Sequence, residues 1–234
     1  MLSIIIPTLN EEKYIPGLLD QIFAQLPVGA EVIVSDGSST DGTVGIAKRY
    51  GCYVVTSAIR SPGHQRNEGV KVANGKILLF LDADTRLSDG FLAASLEEFE
   101  GRKLDVAGYY FTLDSPKLIY RLASYWGYIN QFILHFFHPL SVGAGIMSRR
   151  TWHEKIGEFD ESILFGEDHL YSCAIAHAGG HYGLIRSKKI LFNVRRFDRE
   201  GPWVVCFKWY KLMFQYLLTG PIRKTDVQYE FGKY

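Results

Sequence analysis

Apolar residues recur in two rhythms along the first hundred positions. Short runs at 3–7, 31–35, 52–56 and 76–81 are too brief for globular helices and read as buried strands. Between them the spacing turns helical. Residues 12–25 place Ile15, Leu18, Leu19, Ile22 and Phe23 on one stripe, and 44–50 and 66–73 read as further helices. Strands and helices alternating at this spacing predict βαβ units and a mostly parallel sheet, an α/β fold. The second half is less regular. It predicts a helix at 91–99, a strand at 106–113, one or two aromatic helices at 118–137, a late strand at 188–194 and a final helix at 203–218, with a small, Gly-rich stretch at 141–147. No repeat, low-complexity tract or linker divides the chain.

Three of the early strands run into polar loops: Pro7-Thr8-Leu9-Asn10-Glu11, Asp36-Gly37-Ser38-Ser39 and Asp82-Ala83-Asp84. Parallel strands deliver such loops to one edge, where open α/β sheets bind ligands. Asp82 and Asp84 offer hard oxygen donors that suit a divalent cation carrying phosphate. The competing reading of an isolated Asp-x-Asp is a solvated turn, and its place after a buried strand favours the cation. An Asp after the second strand accepts hydrogen bonds from a base or ribose, while Ser hydroxyls and Gly backbone approach closely. Neither G-x-G-x-x-G nor a Walker A sequence occurs, which argues against a dinucleotide enzyme and a P-loop NTPase.

Charge changes the picture by subtraction: 26 basic against 25 acidic side chains leave no field for nucleic acid. Cys52, Cys173 and Cys206 are scattered without metal-ligand spacing, as expected of reduced thiols in a cytoplasmic protein. Met1 leads straight into Ile4-Ile5-Ile6 without a basic n-region or cleavage site, and no stretch is long and apolar enough to span a bilayer. At 234 residues the chain suffices for one substantial domain or two small ones.

Four segments, taken in order, resemble the family-2 glycosyltransferases, inverting enzymes of GT-A fold that use nucleotide-activated sugars. They are Ser3-Ile4-Ile5-Ile6-Pro7-Thr8-Leu9-Asn10-Glu11, Val34-Ser35-Asp36-Gly37-Ser38-Ser39-Thr40-Asp41-Gly42-Thr43, Gly63-His64-Gln65-Arg66-Asn67-Glu68-Gly69 and Leu81-Asp82-Ala83-Asp84. Each is weak alone; the ordered set is specific. The resemblance runs through Gly180. It implies a catalytic domain over 1–197, with a nucleotide-sugar-binding half at 1–100 and an acceptor-binding half at 101–197, then an aromatic extension at 198–234 that is not an independent domain. The implied donor is a UDP- or GDP-sugar, and the implied acceptor a glycan hydroxyl or a polyprenyl phosphate. By the same resemblance Pro7, Thr8, Asn10, Glu11, Asp36 and Ser38 hold the nucleoside, with Asp36 facing the base. Arg66 and Asn67 lie near the diphosphate, and Asp84, helped by Asp82, binds Mg²⁺ or Mn²⁺. The chemistry agrees, because a nucleoside diphosphate leaving group gains charge that a metal and an arginine stabilise. Outside the motif, Arg66 would read as a solvated helix arginine.

Farther on, Phe165-Gly166-Glu167-Asp168-His169 matches the family's acidic pair on the acceptor side. Asp168 is the implied general base, with Glu167 orienting it or binding acceptor; the plainer reading is an acidic pair at a helix N-terminus. Asn193-Val194-Arg195-Arg196-Phe197 resembles the Gln-x-x-Arg-Trp motif of processive members, but Asn stands for Gln and Phe for Trp, which puts polymerisation in doubt. Arg196, or its neighbour Arg195, is left to reach the diphosphate, since adjacent residues of a strand point oppositely. His181 reads either as a third metal ligand or as a structural histidine.

Trp203, Phe207, Trp209, Tyr210, Phe214 and Tyr216 alternate with Lys208 and Lys211, followed by Arg223 and Lys224. This pattern suits an interfacial helix on the inner face of the cell membrane, a homodimer contact, or a helix packed on the core. Three rival functions use the same residues. A haloacid-dehalogenase-like phosphatase would take Asp82 as nucleophile, but its motif normally ends a first strand. An inactive sugar-nucleotide-binding module would need no base. A sugar-1-phosphate nucleotidyltransferase would need a Gly-rich, Arg- and Lys-bearing N-terminal loop that is missing here.

Overall fold

A computed structural model describes residues 1–134, 139, 144–163 and 166–223. The first half follows the sequence pattern: β1 (Leu2–Thr8), α1 (Ile15–Phe23), β2 (Glu31–Asp36), α2 (Thr43–Arg49), β3 (Tyr53–Thr56), α3 (Pro62–Val72) and β4 (Ile77–Leu81). β1 pairs in parallel with β2 and with β4, and β2 with β3. β1 and β4 are buried along their whole lengths, which is why they read as unbroken apolar runs. Alternate side chains face opposite layers. Ile4, Ile6, Leu79 and Leu81 pack with Ile15, Leu18, Leu19 and Ile22 of α1, while Ile5, Leu78 and Phe80 pack with Val70 of α3.

The second half supplies α4 (Phe91–Gly101), β5 (Val106–Leu113), α5 (Leu118–Leu134), β6 (Gly145–Arg149), α6 (Arg150–Ile156), α7 (Glu167–His177), β7 (Tyr182–Phe192), α8 (Arg195–Glu200) and α9 (Pro202–Thr219). The sheet order is β3-β2-β1-β4-β6-β5-β7. β6 runs antiparallel to β4 and β5, and β5 is parallel to β7. The chain builds outward from β1 to β3 and returns to β4 on the other side. The strand order therefore reverses between β1 and β4, where a crevice opens beyond the strands' carboxyl ends.

Several boundaries differ from the sequence pattern, each for a local reason. α3 begins at Pro62 rather than Arg66, because its first turns bury Gln65, Arg66 and Asn67, polar residues that carry no apolar periodicity. β6 occupies the end of the Gly-rich stretch. Gly145 there packs so closely on Ile190 and Tyr109 that a Cβ would collide with them. β7 begins at Tyr182, six residues before the expected strand. Its register shifts at Tyr109/Tyr110, and the amides of Arg186 and Ser187 donate to the Glu98 carboxylate, so a polar interruption is absorbed inside one strand. The expected strand end at 193–194 instead leads into α8. Residues 135–137 of the aromatic segment, Gly143, Phe165 and Lys224 lie outside the described residues.

The C-terminal helices return onto the domain. Phe197 and Val205 join Leu113 and Tyr120 in one cluster, and Leu212 and Ile222 are buried. Arg223 donates to Ser162 and Asp160. No helix among the described residues is long and apolar enough to cross a membrane.

Candidate active site

The loops after β1 and β2 are latched together. Asp36 is buried at the end of β2 and accepts from Thr8 Oγ1 at 3.0 Å, Ser39 Oγ at 2.5 Å and the Ser39 amide at 2.8 Å. The Asn10 amide donates to Ser39 Oγ, Asn10 Oδ1 accepts from the Thr40 amide, and the Glu11 amide donates to Thr43 Oγ1. Asn10 (φ 56°) and Ser38 (φ 65°) both take left-handed backbone, a conformation in which a non-glycine residue is uncommon outside constrained loops. The Ser38 hydroxyl turns away to donate to Ser57 O at 3.0 Å. Gln65, which the motif reading passed over, donates through Nε2 to Thr8 O and fills the space where Gly37 lacks a side chain. Its only sequence signal is its place in the Gly63–Gly69 segment.

Two arginines tie the carboxylates together. Arg66 is 2% exposed; Nη1 donates to Glu167 Oε1 at 2.7 Å and Nη2 to Asp82 Oδ1 at 3.0 Å, and the guanidinium lies 5.4 Å from the Phe159 ring centre. Burial disfavours its charge, but Asp82, Glu167 and Asp168 outweigh burial and hold it cationic. Arg66 thus links the end of β4 to the start of α7. A third of the Asp82 side chain faces the cleft. Desolvation nonetheless pushes its pKa up to about 7; Asp84, Glu167 and Asp168 add to that push and Arg66 opposes it.

Arg195 plays the same part on the other side. It donates bidentately to Glu11, 2.9 and 2.8 Å from its two oxygens, and its Nε lies 3.2 Å from Asp84 Oδ2. Its guanidinium stacks 4.4 Å from the centre of the Tyr14 ring. Burial raises the Glu11 pKa against the pull of Arg195. Two features deliver Arg195. Arg86 and Leu191 exchange backbone hydrogen bonds of 3.1 Å, holding the end of β7 beside the Asp82–Asp84 loop, and Asn193 Oδ1 accepts from the Arg195 amide as an Asx turn opens α8. Arg195 therefore projects from a helix, not from the expected strand. Arg196 also lies in α8, and its side chain is outside the described set.

Not every expected residue joins this cluster. Asn67 is buried with both ends of its amide engaged: Nδ2 donates to Phe159 O and Glu161 Oε1, and Oδ1 accepts from the Phe159 amide. It positions the segment leading to α7 rather than facing a diphosphate. His181 precedes β7 at the amino-terminal edge, opposite the carboxylates, where its amide donates to Asp105 and Nδ1 contacts Lys103 O. The structure does not bring it to Asp84, because β7 runs parallel to β4. Pro7 and Thr8 end β1 as expected, and Glu167 and Asp168 occupy the first turn of α7. Among the described residues no three His, Cys, Asp or Glu side chains form a metal cage. The donor set of Asp82 and Asp84 still fits a Mg²⁺-like ion, which typically takes one or two carboxylates and completes its shell with water and phosphate oxygens.

A family model described as Glycosyl transferase family 2 matches residues 3–157. A relative from Methanococcus voltae, named dolichyl N-acetyl-alpha-D-glucosaminyl phosphate 3-beta-D-2,3-diacetamido-2,3-dideoxy-beta-D-glucuronosyltransferase, is 29% identical over 183 residues, 70% of this chain and 51% of its own. A PGL/p-HBAD biosynthesis glycosyltransferase of Mycobacterium bovis is 37% identical over 107 residues, 43% of this chain and 42% of its own. The chain thus spans about half the length of the curated relatives it matches. Among solved structures, the mannosyltransferase PcManGT of Pyrobaculum calidifontis in complex with GDP-Man and Mn²⁺ superposes with TM-score 0.68 at 22% identity, over 82% of this chain and 56% of its own. S. aureus TarS 1-349 in complex with UDP-GlcNAc gives TM-score 0.65 at 23% identity, over 83% and 58%. The fold is that of the GT-A glycosyltransferases.

Proposed function

The chain belongs to glycosyl transferase family 2, and on that premise we propose that it moves a sugar, with inversion, from a nucleoside diphosphate donor to a hydroxyl of a lipid-linked sugar. The observation that carries this reading is Arg66, buried between Asp82 on the donor side and Glu167 on the acceptor side. One guanidinium there sets the spacing of the two halves of a transfer site. The nucleoside would rest on the latched loops, with Pro7, Thr8, Asn10, Glu11, Asp36 and Ser38 around it. Asp84, with Asp82, would hold Mg²⁺ or Mn²⁺, which when bound neutralises charge on the diphosphate. Arg195 lies beside Asp84 and on this reading would take the diphosphate.

Asp168, at the N-terminus of α7, would accept the acceptor hydroxyl's proton as that oxygen attacks the anomeric carbon. The lipid-linked acceptor is carried over from the name of the Methanococcus voltae relative, and the divalent ion agrees with the Mn²⁺ held by the Pyrobaculum structure. With a polyprenyl phosphate as acceptor the nucleophile would already be ionised, and Asp168 would have no proton to remove.

Thermal unfolding with a panel of nucleoside diphosphates and their sugars, with and without Mn²⁺, tests the donor half. A ligand at a hundredfold its Kd stabilises the native state by about 2.7 kcal/mol. At least one nucleotide should do so only with Mn²⁺, and Asp84→Ala should abolish that shift. No shift with any nucleotide, joined to phosphate release from a phosphomonoester, would return the site to the phosphatase reading.

A further inference from the structure

α5 is built inside out. It turns Tyr120, Ser124 and Gln131 toward the domain, where Ser124 Oγ accepts from the Leu113 amide and Gln131 Nε2 donates to Tyr109 O. To the outside it presents Leu118, Ile119, Leu122, Tyr125, Trp126 (63% exposed) and Phe132. A helix that buries its polar residues and exposes its aromatic ones has a second apolar medium to meet. α9 shares only the outward half of this arrangement. It buries Val205 and Leu212 and exposes Trp203 (78%), Val204 and Phe207 (72%). The two helices meet where Tyr120 and Lys117 of the α5 end both donate to Asp198, and Tyr120 packs with Phe197 and Val205. Leu118, Ile119 and Leu122 on α5 and Trp203, Val204 and Phe207 on α9 are the exposed apolar residues next in sequence to this contact.

We propose that α5 and α9 together form a docking face for the surface of an anionic phospholipid bilayer. Charge selects this occupant. No carboxylate occurs between Asp114 and Glu154 or between Glu200 and Asp226, so the charges borne by the two helices, Arg121, Lys208 and Lys211, are all cationic. The nearby acids are already engaged on α8, Asp198 with Lys117 and Glu200 with Lys208. A second copy of this chain would set cation against cation across the contact with no acid on either helix to answer it. Anionic headgroups would answer Arg121 on the exposed side of α5 and add no like charge beside the lysines of α9, and Trp and Tyr are the aromatic residues enriched at the headgroup level. Among the described residues neither helix is long and apolar enough to span the bilayer, and the proposed face lies on its surface.

This inference goes beyond sugar transfer and stands apart from it. Co-flotation of the full chain with vesicles of phosphatidylcholine alone, or mixed with phosphatidylglycerol, is the test. The chain should float with the mixed vesicles, less so at high salt. Leu122→Glu/Trp126→Glu should lower that partition at least tenfold, and Arg121→Glu about fivefold or more. Urea midpoints and nucleotide-induced thermal shifts should stay at parental values, which separates a lost surface from a lost fold or a failed donor site. Failure of the intact chain to float with mixed vesicles at low salt overturns the proposal. So does unchanged flotation of the double variant, or a dimer in light scattering that the double variant converts to monomer.

Discussion

Replacing Arg66 by Met keeps most of the side-chain volume and removes the one charge that Asp82 and Glu167 share. Arg66 is 2% exposed, with Glu167 and Asp82 side chains 14% and 34% exposed. Removing one partner of a buried pair costs about 3–5 kcal/mol, because the other is left charged and uncompensated. The two arms do not contribute equally. Asp82 faces the cleft and is partly screened, so most of the loss falls on the Glu167 arm. Acid shrinks the Asp82 share further. Its pKa in the folded protein is about 7 against an ordinary 3.8, so below that value it is largely protonated and gains little from Arg66. The loss should therefore be greatest near pH 8 and smaller near pH 5. With a urea slope of about 3 kcal/mol/M, a loss of about 4 kcal/mol moves the midpoint by more than 1 M. Arg66→Met/Glu167→Gln should recover a sizeable part of it, and the double-mutant cycle gives the coupling directly. A loss below about 1 kcal/mol at pH 8, or no recovery in the double variant, would show that Arg66 does not hold the two sides together.

Arg195→Gln should lower stability by roughly 2 kcal/mol, less than a fully buried pair because both partners keep some exposure, and a urea midpoint within error of the parent would dismiss the Glu11 clamp. Asp168→Asn should preserve the nucleotide thermal shift while turnover falls on the order of 10²–10⁴-fold; near-normal turnover would point to an acceptor that arrives ionised. Acid should destabilise the fold through His153, whose buried imidazole is lowered to about 4 by desolvation and by Arg150. The unfolded chain takes up that proton near 6.5, so this residue's contribution is intact above pH 6.5 and is lost as pH falls toward 4, by roughly 3 kcal/mol. His153→Phe should flatten that part of the pH–stability profile, and an unchanged slope would rule His153 out as its source.

The donor side was legible because its apolar strands and turn-rich loops obey rules of period and position. Leu2–Thr8 and Ile77–Leu81 are read as strands from their runs alone, and the loops after them follow. The acceptor side was less so, since its signals are local exceptions. β6 begins at a glycine, ends in Ser148 and Arg149 and runs directly into α6, so it lacks the unbroken apolar run that marks β4. β7 carries Arg186, Ser187 and Lys188 in mid-strand, where Glu98 accepts from the Arg186 and Ser187 amides and the Lys188 ammonium donates to Asp89 O. The resemblance of its segment places Asn67 near the diphosphate with Arg66, yet one residue along a helix turns a side chain by about 100°, enough to send its amide to Phe159. The contacts of Arg195 with Glu11 and Asp84 were not legible because they depend on α8 standing where a strand was expected.

The charge of the assembled edge ties these parts to one expectation. Glu11, Asp82, Asp84, Glu167 and Asp168 set five carboxylates against the two guanidiniums of Arg66 and Arg195 among the described residues. Full ionisation leaves an excess of three negative charges, and the Asp82 pKa, raised first by desolvation and then by its acidic neighbours, removes part of it. A nucleoside diphosphate is itself an anion. At about 8 Å and an effective dielectric constant near 20, each unbalanced charge pair repels by roughly 2 kcal/mol. The loops that fit the nucleoside thus sit in a field that opposes its phosphates. A divalent cation taken up beside Asp84 would lower that barrier, whereas monovalent salt only screens it. Donor binding should accordingly be steeply dependent on the divalent ion and weakly rescued by salt. A nucleoside diphosphate that shifts the unfolding temperature equally in chelator and in Mn²⁺ would mean that the two arginines alone suffice to receive it.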